Sequence, residues 1–174
     1  MILKRFLCFV TAMSLATTIS AQGAQIQTPA PVIYLKSNAG EPQNLGWCLD
    51  TVGRGFSDRI HIHSCKPQGG DVQFIYDPAT QQLQSAEFDG YCISLGGTAD
   101  VPEFHLVTCE AGVAEQSFVY SEQDLTLHPA DADMQCLVAA EQVTSAGPFH
   151  SRALQLSPCD AAAAELKEWV ILSN

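Results

Sequence analysis

The chain has 174 residues and carries 8 Lys and Arg against 19 Asp and Glu, a formal net charge of −11. A surface this acidic repels phosphate backbones and anionic lipid heads, so nucleic-acid binding is excluded as an expected role. The length suits one domain with a real core.

Residues 1–21 have the order of an export signal. Lys4 and Arg5 form a basic start, residues 6–16 an apolar run too short to span a bilayer, and Ile19-Ser20-Ala21 a small-residue cleavage site. Cleavage after Ala21 takes Cys8 with it and leaves a secreted or periplasmic chain with no stretch apolar enough for membrane insertion. Residues 22–31 are polar and proline-containing and read as a flexible lead-in. The folded domain is expected over 32–174.

From there short apolar or alternating runs follow at close intervals: 33–36, 47–50, 59–63, 72–76, 82–84, 91–95, 103–107, 117–120, 124–127, 135–138, 153–156 and 168–172. Turn residues separate them, among them Gly53, Gly55, Gly69-Gly70, Asp77-Pro78, Asp89-Gly90, Gly96-Gly97 and Gly147-Pro148. Many short strands with such punctuation predict an all-β barrel or sandwich of about twelve strands. No long segment has helical periodicity, and residues 161–165 offer one turn at most.

The runs repeat. Cys48, Cys92 and Cys136 are 44 residues apart, as are Cys65 and Cys109, and Phe74 and Phe118. Only the leg from Cys136 to Cys159 is longer, by about six residues. Four strands cannot bury their own apolar face, so three units must share one core with pseudo-threefold symmetry. The residues recurring in all three are the expected core: Ile60, Phe104 and Leu154; Ile62, Leu106 and Leu156; Phe74, Phe118 and Trp169. Six cysteines allow fifteen pairings. The repeat selects one, each unit closing on itself as Cys48–Cys65, Cys92–Cys109 and Cys136–Cys159. Zinc is disfavoured, since there is no Cys-x-x-Cys pair.

Cys48-Leu49-Asp50, a second cysteine after a strand, and the closing element Gln116-Ser117-Phe118 resemble the ricin-type lectin repeat. Phe74 and Trp169 keep only the aromatic of that closing element. The resemblance covers the chain from about residue 32. It implies a β-trefoil, a six-stranded barrel capped by three hairpins, that binds sugars, often of galactose type. Position by position it implies Asp50 as acceptor for sugar hydroxyls, His63 as stacking platform, His61 as polar contact, and Asp71 where the family has Asn. Unit two offers Ser94, His105, Val107 and Glu115, and unit three Val138, Gln155, Ser157 and Leu166, so unit one is the expected site.

His61 and His63 with Asp50 or Asp71 could also gather a metal, but no fourth ligand is evident, and neither metal nor cofactor is expected. There is no Gly-x-Ser-x-Gly, no His-Glu-x-x-His and no phosphate loop. Asp50 and Asp71 could in principle serve glycoside hydrolysis, yet the resemblance implies binding without catalysis. A second reading is a delivery subunit of a bacterial toxin, like the trefoils of the cytolethal distending type, which hold a partner subunit and a cell surface. Residues 140–152 would then be the contact loop.

Overall fold

A computed structural model describes residues 23–53, 55–98 and 101–173. The expected export signal lies outside these residues. Unit one contains β1 (Val32–Leu35), β2 (Trp47–Thr51), β3 (Ile60–Ser64) and β4 (Phe74–Asp77). Unit two contains β5 (Gln82–Ser85), β6 (Tyr91–Gly97), β7 (Pro102–Thr108) and β8 (Phe118–Ser121). Unit three contains β9 (Thr126–Pro129), β10 (Gln135–Ala139), β11 (Thr144–Ala146), β12 (Phe149–Arg152), β13 (Leu154–Pro158) and β14 (Trp169–Leu172). One helical turn, α1 (Ala164–Lys167), precedes β14.

The register shows the triplication directly. Cys48 pairs with His63 and Asp50 with His61 across β2 and β3. Cys92 pairs with Val107 and Ser94 with His105 across β6 and β7. Cys136 pairs with Ser157 and Val138 with Gln155 across β10 and β13. Units are joined through the antiparallel pairs β4–β5, β8–β9 and β14–β1, the last bringing the two ends of the domain together. This is the β-trefoil.

The core is built of residues that recur. Phe74, Phe118 and Trp169 are fully enclosed, as are Ile33, Leu83 and Leu127, and Leu49, Ile93 and Leu137. Ile60, Ile62, Phe104, Leu106 and Leu154 join them in one cluster. Leu156, expected among them, is only half-buried. It borders a small cleft of unit three whose lining also includes Ala161, Ala162 and Ala163. The Tyr76 hydroxyl donates to the Phe118 carbonyl at 3.1 Å, and Tyr120 repeats that bond to Trp169 at 3.0 Å. Each unit is thereby tied to the next.

All three disulfides close within units, at Cα separations of 5.0, 4.9 and 5.0 Å. Loops of this size contribute about 3 kcal/mol each by restricting the unfolded chain.

Two segments depart from expectation. The lead-in is laid against unit one, for a reason the sequence does not advertise. The Thr28 hydroxyl, 4% exposed, donates to the Lys66 carbonyl at 2.9 Å. The Gln73 side-chain amide donates to the carbonyls of Pro29 and Ala30. Gly46 allows this approach, because a Cβ there would lie 2.6 Å from the Ile26 Cδ1 and 2.9 Å from the Ala24 Cβ. Ile26 covers the Cys48–Cys65 bridge together with Val32 and Val72.

The long leg of unit three forms two strands beyond the twelve expected. β11 and β12 make a hairpin whose two-residue turn is Gly147-Pro148. Gly147 has φ 65°, which suits the first central position of a tight hairpin turn. The hairpin folds back onto unit one, pairing Ser151 with His63 and Arg152 with Ile62 along β3.

Candidate functional site

β2 turns Leu49 into the barrel and, by alternation, Asp50 to the other side. There Asp50 meets the two imidazoles of β3. Its Oδ2 lies 3.7 Å from His61 Nε2 and 3.6 Å from His63 Nδ1. The four residues expected at the site are therefore brought together, with one addition. Lys66 reaches in from beyond Cys65 and places its Nζ 2.8 Å from Asp50 Oδ2 and 2.6 Å from Asp71 Oδ1.

That ammonium changes the roles. Asp50 is fully buried, its side chain 0% exposed, with Lys66 between it and solvent. Among the described residues neither of its oxygens has a partner in hydrogen-bond geometry, nor has the buried His61 Nε2, so Lys66 meets Asp50 as an ion pair. Burial works to lower the Lys66 pKa, but its contacts with Asp50 and Asp71 outweigh that and hold it above the ordinary lysine value. Burial depresses the pKa of His63, partly opposed by the Ser64 carbonyl, which lies 2.9 Å from Nδ1. His63 is thus a buried ring at neutral pH rather than an open platform.

Sequence reasoning missed Lys66. A signal was present: the residue after the second cysteine is Glu110 in unit two and Asp160 in unit three, and is basic only where Asp50 and Asp71 face one another.

Above this cluster lies a cleft of about 670 Å3. His61, His63, Lys66 and Asp71 line it together with Phe88 and with Phe149, the first residue of β12. The Phe149 ring meets His63 edge-on, with centroids 5.5 Å apart. Phe88 is supported by Phe56, which also packs on Tyr91.

The equivalent positions elsewhere do not reproduce this. Val138, Gln155, Ser157 and Leu166 line a smaller cleft of about 320 Å3 in unit three, with no lysine or histidine in its lining. In unit two His105 lies 3.3 Å from the exposed Glu103, and Val107 takes the place of His63. Among the described residues no cluster has the geometry of a metal site; around Asp50 the nearest cation is the Lys66 ammonium.

A triplicated trefoil with one polar, aromatic-walled cleft is the architecture of a carbohydrate-binding module. The ricin-type beta-trefoil lectin domain model matches residues 38–169. The chain belongs to that family, whose members bind carbohydrate through this domain. No curated protein sequence matches it. Among solved structures, one described as "Crystal structure of GalNAc-T7 with UDP, GalNAc and Mn2+" superposes with a TM-score of 0.54 at 18% identity. That likeness covers 73% of this chain and 20% of the other, about a fifth of that protein's length, and is one of fold.

Proposed function

We propose that this is an exported lectin whose working site is the unit-one cleft. The observation that carries the reading is the Lys66–Asp71 pair in the cleft lining, an ammonium and a carboxylate 2.6 Å apart. Adjacent hydroxyls of a sugar ring, of galactose type among others, need a donor and an acceptor side by side. Lys66 donates. Asp71 uses Oδ1 on Lys66 and keeps Oδ2 for a hydroxyl, as a charge-assisted bond. Asp50 acts from below, as the buried counter-charge that holds Lys66.

Binding rather than hydrolysis is favoured because both carboxylates are held by one ammonium. A glycosidase needs an acid and a second carboxylate free to act on opposite sides of the scissile bond. Export is supported by three disulfides, which persist in oxidising compartments. No helix among the described residues is long and apolar enough to cross a membrane.

A glycan array probed with the oxidised chain tests this. Binding is expected, and Asp71→Ala should weaken it by about tenfold or more, the size of one charge-assisted hydrogen bond, with unchanged circular dichroism. A silent array, or an Asp71→Ala variant that binds as the parent does, rejects the reading.

A further inference from the structure

We infer that the inserted hairpin of unit three supplies the stacking ring of the unit-one cleft, Phe149, and that this makes the cleft a site for a sugar chain rather than a single sugar. The inference rests on the reading of that cleft as a sugar site.

Three observations carry it. The residue that would stack from within unit one, His63, is 6% exposed and lies beneath Phe149. Phe149 is half-buried, is in edge contact with His63, and lines the cleft. The hairpin is also not free to swing. β12 is hydrogen-bonded to β3, and its Arg152 is 7% exposed. Arg152 donates to the carbonyls of Ala39, Ala140 and Glu141 and lies over the Trp47 ring at 4.7 Å. The His150 amide donates to the Ser64 hydroxyl, which donates in turn to the buried Glu41 carboxylate. A ring held this firmly binds without the entropy cost of being ordered.

The cleft then has two ends of different chemistry. Lys66 and Asp71 offer hydrogen bonds at the floor. Phe149 and Phe88 offer flat apolar faces at its sides, suited to the C–H face of a pyranose. At about 670 Å3 the cleft falls in the range of about 300–1,000 Å3 that encloses drug-sized ligands, more than one pyranose needs. The first sugar sits on the polar floor and the next against Phe149.

The test takes the strongest array hit and measures its terminal monosaccharide, disaccharide and tetrasaccharide by calorimetry. The parent chain is expected to prefer the longer forms. Phe149→Leu, which keeps bulk beside His63, should lose that preference by roughly tenfold, the worth of one aromatic stack. Phe149→Trp should restore it. Its added indole should also change emission on titration with the tetrasaccharide, since Trp47 and Trp169 are fully buried. Unchanged chain-length preference in Phe149→Leu, or an indole at 149 that does not respond, overturns the inference and leaves the cleft reading standing. A parent chain that binds no glycan overturns both.

Discussion

Lys66→Met is expected to lower the unfolding free energy at pH 7 by about 3–5 kcal/mol, the cost of stripping a buried charge of its partner. The loss has a stated origin. Asp50 is fully enclosed, and its nearest cation is the ammonium 2.8 Å away. Methionine fills the space and leaves the enclosed Asp50 carboxylate without its ammonium, with the Asp71 carboxylate above it in the cleft lining. The sign with pH follows. In the parent chain the folded state holds the lysine pKa above its ordinary value of 10.5. Its contribution is therefore complete below that value and is lost only as the pH rises through the folded pKa. In the variant the deficit should shrink as the pH falls towards about 4, where carboxylates take up protons. Urea unfolding of both proteins at pH 7 and pH 4.5 measures this. An equal deficit at the two pH values would show that lost packing, not stranded charge, was responsible.

The second large effect is expected at Arg152. Its guanidinium joins three segments by donating to the carbonyls of Ala39, Ala140 and Glu141, and it stacks over Trp47. Burial lowers its pKa, and the nearby Glu141 partly offsets that. Arg152→Met leaves those carbonyls without their donor and should cost about 2–4 kcal/mol. The loss should also be local. Amide exchange should speed up across β11 and β12 before it does in β6 and β7. Exchange that accelerates evenly over the molecule would place Arg152 in the common core instead of at the hairpin's anchor.

Much of the architecture was legible because it is written three times. A single Cys-x-Asp says little, but a 44-residue period fixes which cysteines pair, which aromatics close each unit and which strand faces look inward. Ile60, Phe104 and Leu154 are recognisable because each occupies the same place in its copy. Leu156 misled for the same reason: repetition marks its position, but in this copy the residue borders a cleft.

What the repeat could not convey lies between units or outside them. β12 pairs with β3 across 86 residues, from His150 to Ser64. No local pattern specifies that. The lead-in looks loose because its composition is polar, but its carbonyls and the Thr28 hydroxyl find partners only once unit one has formed. Lys66 was hidden by being outside the family motif. Asp50, His61, His63 and Asp71 were identified by position, and the structure brings all four together. A lysine no motif mentions lies between the two carboxylates, with Asp50 fully buried and Asp71 partly exposed.

The most direct measurement is a nitrogen–proton NMR titration of the oxidised chain with its best array glycan. Shifts are expected to concentrate at His61, Lys66, Asp71 and Phe149. The equivalent positions of the other units, His105, Glu115, Gln155 and Leu166, should stay still. Shifts that gather in unit two or unit three, with the unit-one cleft silent, would contradict the account.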